Sequence, residues 1–259
     1  MDYRLDIAHA SMLCTKIQNR KEVDACEVVV CTALEEESGK VWANKHNISY
    51  VRSASEMAGH VDAVMIPASS HPELHLSLFE SCISLGVPVF IDKPLAQDME
   101  SACRIFELAQ ENNITVSSSS ALRFAAEVQE VLKENLSLDF VQTWGGYSQR
   151  FDEFLIHPME LAITLMGPDF HSVTRVSRGN NHHFTLNYPE GRQADVFFSA
   201  AEQPYEFAVC SQNSWKHYTL QSGFFDHLIT SLLEAFRTNT PLVPSSQTLA
   251  VLKAMETTE

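Results

Sequence analysis

Two groups of residues in this chain have types and spacing suited to moving protons. The first is Asp92-Lys93-Pro94-Leu95, directly after the apolar run VPVFI. In an open parallel sheet, ligands gather beyond the carboxyl ends of the strands, and a loop after such a run lies there. A lysine at that edge, next to an acid and pinned by a proline, is a candidate catalytic cation; a solvated loop lysine is the plain alternative. The second group is Asp152-Glu153-Phe154-Leu155-Ile156-His157-Pro158-Met159-Glu160. Glu153 and His157 stand four apart, so one helix over both would put them on one face. A histidine beside a carboxylate is a workable general base, because the acid orients the ring and supports the imidazolium. Pro158 fits best in a first helical turn, which would leave Glu153 in the preceding loop and make Glu160 a partner of the helix dipole. Glu153, His157 and Glu160 could also be read as metal ligands, but no further ligand is evident, so no metal site is expected. His71 and His75 belong to a strand-to-helix loop close to a cofactor or to a helix cap. His182-His183 follows Gly179-Asn180-Asn181 and reads as a surface turn.

The elements that must hold these groups are legible from the apolar pattern. Residues 27–32 (EVVVCT), 63–66 (AVMI), 87–91 (VPVFI) and 115–118 read as short buried strands. Between and after them, 11–20, 35–46, 73–85, 99–112 and 125–135 read as helices, with Gly86 closing one of them at a C′ position. Residues 5–8 form a short apolar run. Strands alternating with amphipathic helices imply βαβ units and a parallel sheet covered on both faces. Near residue 138 the rhythm changes. Residues 140–148, 172–177, 183–188, 194–200, 206–210 and 216–221 read as strands joined by short turns, Pro189-Glu190-Gly191 among them. The helix at 157–166 is stopped by Gly167-Pro168, and 224–237 and 246–257 close the chain as helices. The expected fold is therefore α/β followed by α+β: a Rossmann-type parallel-sheet domain over 1–122, then a mostly antiparallel open sheet flanked by helices over 123–259.

The 259 residues carry a formal net charge of −15, and 45% of them are hydrophobic. So acidic a surface repels phosphate backbones and anionic lipid, which argues against nucleic acid and membranes as general partners. No stretch approaches the roughly 20 apolar residues that span a bilayer, and the start, with Asp2 and Asp6, does not read as a signal peptide. The six cysteines are scattered without a CxxC pair, as in a reduced cytoplasmic protein.

The string VDAVMIPASSHPELHLSLFESCISLGVPVFIDKPLA resembles the core signature of the Gfo/Idh/MocA oxidoreductases. Their Glu-Lys-Pro motif stands here as Asp92-Lys93-Pro94. SSSALRF resembles the segment leading to their Arg-Phe or Arg-Tyr pair, here Arg123-Phe124. IHPMELAITLMGP resembles their histidine-bearing helix, and FFDHLITSLLEAFRTNTPLVPSSQTLAVLKAME their closing helices. The resemblance implies a dinucleotide in the first domain and hydride transfer between its nicotinamide and a carbon of a sugar, cyclitol or related polyol. It puts Lys93 where the family assists proton transfer and fixes the substrate hydroxyl, His157 at the acid/base histidine, and Glu153 where the family usually has Asp. Cofactor contacts are then expected from Ala8, His9, Ala10, Ser11 and Met12 in the first loop. After the next strand they are expected from Thr32, Ala33 and Glu35, and further along from Pro67, Ala68, His71, Asp92, Lys93 and Arg123.

Two departures stand out. The loop that should read Gly-x-Gly-x-x-Gly aligns with Ala8-His9-Ala10-Ser11-Met12-Leu13 and holds no glycine. Glycines there permit the tight turn and the close approach of backbone N–H groups to the pyrophosphate. At the end of the second strand, Cys31-Thr32-Ala33 stands where an acid would hold the ribose. Glu35, Glu36 and Glu37 follow with no arginine nearby in the sequence, which favours NAD over NADP. The leading expectation is an NAD-dependent dehydrogenase or reductase. The glycine-free loop motivates a rival, a non-catalytic sugar- or nucleotide-binding sensor; a metal-dependent hydrolase is a third reading. A homodimer or homotetramer through the C-terminal sheet is expected, with Phe197, Phe198, Tyr205 and Phe207 as candidates for the contact, although burial under helices would account for them equally.

Overall fold

A computed structural model describes residues 1, 5, 8–21, 25–146, 151–221 and 223–257. The end of the expected strand 140–148 and positions 6–7 of the apolar run 5–8 lie outside the described residues. The chain divides into two compact units, Met1–Ser119 with Leu228–Ser245, and Ser120–His227 with Ser246–Glu259. The return of Leu228–Ser245 to the first unit is a feature that a linear division at 122 does not contain.

The first unit is built from α1 (Ala8–Gln18), β1 (Val30–Cys31), α2 (Glu36–His46), β2 (Ser49–Tyr50), β3 (Val64–Ile66), α3 (His75–Cys82), β4 (Val89–Ile91), α4 (Met99–Glu111) and β5 (Val116–Ser117). All strand pairs are parallel. β1 pairs with β2, and separately β4 lies between β3 and β5. β4 is buried at every residue, as a parallel strand covered on both faces should be. The helix boundaries follow local chemistry. Asp98 caps α4 by accepting from the Ser101 N–H at 2.7 Å. After α3 and a 3-10 turn, Gly86 adopts φ 64°, the left-handed conformation that glycine takes at least cost. Leu13 and Ile17 of α1 pack with Ile229 and Leu233, while Ala10 and Cys14 pack with Cys31 and Trp42.

The second unit follows with α5 (Ala126–Glu134), β6 (Phe140–Gly146), α6 (Phe151–Phe154), α7 (Ile156–Met166), β7 (Ser172–Arg178), β8 (Asn181–Asn187), β9 (Gln193–Ser199), β10 (Gln203–Ser211) and β11 (Ser214–Thr219). The closing helices are α8 (Phe224–Thr238) and α9 (Ser245–Met255). Its six strands run in the order β11-β10-β6-β9-β8-β7, antiparallel throughout except for the parallel pair β6–β9. Alternation in β9, with every second residue buried, gives this sheet one core face. Phe184, Val196, Phe198 and Phe207 on that face join Met159 and Ile163 of α7 in one cluster. Complete burial of a side chain such as Phe184 or Phe207 contributes about 1.5–3 kcal/mol.

The other face carries Phe197, whose ring stacks 6.5 Å from Trp144 and 4.2 Å from His183. Of the aromatics expected at an interface, Phe198 and Phe207 are core residues instead, and Tyr205 is half-buried over Gly145. Strand alternation sends adjacent aromatics to opposite faces, so only Phe197 of the four lies on the outer one.

Candidate active site

At the carboxyl edge of the first unit's sheet, β3 ends at Ile66 and runs into buried Pro67 and Ala68, and β4 ends at Ile91 and runs into Asp92 and Lys93. The Asp92 N–H donates to Ile66 O at 2.9 Å and so carries the ladder one step past the strands. Asp92 is almost wholly buried. Its Oδ1 accepts from the Lys93 N–H at 2.8 Å, and its Oδ2 lies 2.5 Å from Nδ1 of His9 on α1. Burial pushes the Asp92 carboxyl up. The His9 ring, by charge and hydrogen bond, and the Lys93 ammonium pull harder, so its pKa ends below the usual carboxylate range. Lys93 is itself buried, 5% exposed, which removes the solvated-loop reading. The Lys93–Pro94 peptide is cis.

His75, at the start of α3, ties this edge together. Its Nε2 lies 3.0 Å from Ala68 O, and its Nδ1 lies 3.0 Å from Pro94 O and 3.1 Å from Leu95 O. Burial lowers its pKa, against the pull of those carbonyls and of Asp92. His71 is more open, with Nδ1 3.1 Å from Glu73 Oε1.

The stretch expected as a nucleotide loop takes another form. Residues from Ala8 onward are helical, and the side chain of Ala8 lies outside the described set. Ala10 and Leu13 are buried in apolar clusters, Met12 packs against one of them, and the Ser11 hydroxyl accepts from Trp42 Nε1 at 2.9 Å. Ala10, Ser11, Met12 and Leu13 thus direct their side chains into packing contacts within the unit. At the end of β1, Thr32 and Ala33 are buried, and Glu35 is the residue ahead of α2. Glu36 pairs with Lys40 at 2.7 Å, and Arg52 comes within 3.6 Å of it. An arginine thus does stand by this acidic helix start, brought there by the β1–β2 pairing rather than by sequence.

In the second unit the candidate base is held by a partner the sequence did not single out. Ser120 Oγ lies 2.7 Å from His157 Nδ1. The Ser120 N–H in turn donates to Glu160 Oε2 at 2.8 Å, and Glu160 Oε1 accepts from Arg123 Nε at 2.9 Å. Arg123 also donates to Gln247 Oε1 at 2.7 Å, and its Nη2 is buried with no hydrogen-bond partner among the described residues. Arg123 and Glu160 are both buried, so this pair is shielded from water. The Tyr205 ring stands edge-on to His157, centroids 5.4 Å apart. Glu153 lies on α6 and His157 on α7, with Leu155 between the helices, so one continuous helix does not carry both. Contact with a ring nitrogen fixes which face of an imidazole is presented, and a hydroxyl does this without adding charge. Among the described residues there is no group of three or more His, Cys, Asp or Glu side chains suited to a metal, and no helix long and apolar enough to cross a membrane.

Comparison with known proteins bears on residues 9–120, which match the model of an oxidoreductase family with an NAD-binding Rossmann fold, Gfo/Idh/MocA. YceM of Salmonella typhimurium, provisionally named an oxidoreductase, is 30% identical over 130 residues. The alignment takes in 46% of this chain and 41% of YceM, so the chain spans about two fifths of the length of that relative. Among solved structures, UDP-N-acetylglucosamine 3-dehydrogenase GnnA of Acidithiobacillus ferrooxidans superposes with a TM-score of 0.81 at 16% identity, covering 98% of this chain and 93% of that one. Myo-inositol 2-dehydrogenase of Lactobacillus plantarum gives 0.79 at 13% identity, covering 97% and 93%. At such identities the likeness is one of fold. Over residues 9–120, with the parallel strands and the Asp92-Lys93-Pro94 edge that they contain, the chain is similar to the Gfo/Idh/MocA oxidoreductase family.

Proposed function

We propose that the chain serves as an NAD(P)-dependent oxidoreductase acting on a CH–OH group of a sugar, cyclitol or related polyol. The observation that carries the reading is the buried Asp92-Lys93 pair at the carboxyl end of β4, in the segment that matches the family. A lysine there, out of bulk water, offers a localised positive charge to a substrate hydroxyl, which favours the alkoxide-like oxygen that develops when a carbinol carbon is oxidised. By the resemblance His157 is assigned the acid/base role, taking a substrate hydroxyl's proton in the oxidative direction and returning it in the other. Ser120 at Nδ1 sets the ring, and Glu153 supports the imidazolium.

Dinucleotide contacts are assigned to Thr32, Ala33, Glu35, Pro67, Ala68, His71, Asp92 and Lys93, and the resemblance adds Arg123 as a candidate. Glu35 disfavours a 2′-phosphate, and Arg52 is engaged by Glu36, so NAD is the expected cofactor. Ala8, His9, Ala10, Ser11 and Met12 are the candidates for the pyrophosphate, through backbone N–H groups at the start of α1. Phe197 and Trp144, on the outer sheet face, are proposed to meet a second copy in a homodimer or homotetramer, which sedimentation would show.

The test is a panel of polyols and nucleotide sugars offered with NAD and with NADP, read by nicotinamide absorbance. Turnover with a polyol-class substrate supports the reading. Saturable binding of sugar or nucleotide without any turnover overturns it in favour of a sensor, the reading that the glycine-free stretch from Ala8 motivates.

A further inference from the structure

β10 is irregular where it passes the candidate base. Gln203 stands opposite Gly146 and Glu206 opposite Trp144, so Pro204 and Tyr205 together face the single residue Gly145 of β6. This is a β-bulge, in which one extra residue bends its strand and re-aims a side chain. Pro204 suits it, because β10 runs between β6 and β11, and a proline within a sheet is confined to edges and bulges. The Tyr205 carbonyl still accepts from the Leu220 N–H at 3.0 Å, so the bulged residue is anchored on its other side.

Gly145 leaves the room that Tyr205 takes. A Cβ on Gly145 would stand 2.2 Å from Cδ1 and 2.3 Å from Cε1 of Tyr205, so the ring rests where a side chain would be. The φ of Gly145 lies outside the left-handed region, so glycine is required there by the ring and not by the backbone.

The ring's other neighbour is His157. The two ring centroids are 5.4 Å apart with planes at 72°, and the Phe154 ring stands 6.0 Å from the imidazole at 56°. Ser120 Oγ, 2.7 Å from Nδ1, fixes one atom of the imidazole. One hydrogen bond leaves a ring free to rock about it; packing on the flanks removes that freedom. The phenol adds no second hydrogen bond, since Tyr205 Oη is buried with no partner among the described residues. Burial pushes this phenol well up, so it stays neutral and puts no charge beside the imidazole. A regular strand would close this part of the core without a bulge, a proline or a bare backbone. The three agree in bringing one aromatic ring against His157.

We propose that Tyr205 is a positioning residue for His157, aimed by the β10 bulge and seated over Gly145, and that its ring rather than its hydroxyl does the positioning. The inference rests on the acid/base reading of His157 given above. Ser120 and Tyr205 together then set the direction in which the other ring nitrogen meets a substrate hydroxyl.

The experiment compares Tyr205→Ala, Tyr205→Phe, Gly145→Ala and the double variant Gly145→Ala with Tyr205→Ala in the full chain, each checked for fold by circular dichroism. Two readouts are taken. The first is the His157 ring signal in a proton–nitrogen NMR correlation, assigned by its loss in His157→Gln. It should be sharp in the wild type and Tyr205→Phe and broadened in Gly145→Ala and Tyr205→Ala. The second is turnover on the best substrate of the panel. Gly145→Ala and Tyr205→Ala should each lower kcat about tenfold or more with KM little changed, and Tyr205→Phe should recover most of the rate. The double variant should be no worse than Tyr205→Ala, because without the ring a Cβ at 145 displaces nothing. An unaltered His157 signal in Gly145→Ala overturns the proposal. So do additive losses in the double variant, a loss in KM alone, or a Tyr205→Phe as impaired as Tyr205→Ala, which would hand the role to the hydroxyl. If Tyr205→Ala does not fold, Gly145→Ala and Tyr205→Phe decide. A His157 signal that responds as expected in a chain that turns over no substrate would sustain the positioning and sink the oxidoreductase reading instead.

Discussion

Nδ1 of His9 lies 2.5 Å from Oδ2 of Asp92, across 83 residues of sequence, and joins the first turn of α1 to the acid beside Lys93. The contact gives Asp92 a depressed pKa in the folded chain. A depressed carboxylate contributes stability above its unfolded pKa of about 3.9 and loses it as pH falls through the folded value. Asp92→Asn is therefore expected to lower the unfolding free energy by roughly 1–3 kcal/mol near neutrality, since buried partners are left short of an acceptor. In urea unfolding, the gap between wild type and variant that this carboxylate contributes should be full above about pH 5 and close progressively below it. A gap that widens on acidification would contradict the assignment.

Ser120 is expected to act through His157, not on the substrate. Ser120→Ala should lower kcat ten- to a hundredfold, the usual consequence of loosening a reacting group by a fraction of an ångström to 1 Å, and shift the pH–rate profile, with KM little changed. Ser120→Thr, which keeps the hydroxyl, should recover most of the rate. A loss in KM alone would assign Ser120 to binding.

Glu160 holds Arg123 and the Ser120 N–H inside the second unit. Removing one partner of a buried ion pair leaves the other charge uncompensated, at a cost of about 3–5 kcal/mol. Glu160→Ala should show that loss in chemical denaturation, and Arg123→Met with Glu160→Met together should restore part of it. An unaltered midpoint in Glu160→Ala would mean that water already screens the pair.

Much of the architecture was readable because it rests on local pattern. EVVVCT, AVMI and VPVFI gave strands, Asp98 and Gly86 marked helix ends, and the change of rhythm near 138 marked the second sheet. The contacts that organise the candidate site were not readable, because each joins residues far apart along the chain. Ser120 meets His157 across 37 residues, and one hydroxyl in a run of four serines carries no signal of that. His75 looked like its neighbour His71 until burial separated them. The glycine-free stretch from Ala8 is helical because alanine, methionine and leucine are good helix formers, and they pack as a helix. The parallel pair β6–β9 inside an otherwise antiparallel sheet also lacks a local signature.

The most direct test of the oxidoreductase account is nicotinamide-dependent turnover by the wild type and by Lys93→Ala on the best substrate of the polyol and nucleotide-sugar panel, with the fold of both checked by circular dichroism. The account predicts a drop of roughly 100-fold or more, the scale of a positioned proton-transfer group, in a variant that remains folded. Turnover in folded Lys93→Ala equal to that of the wild type would contradict it.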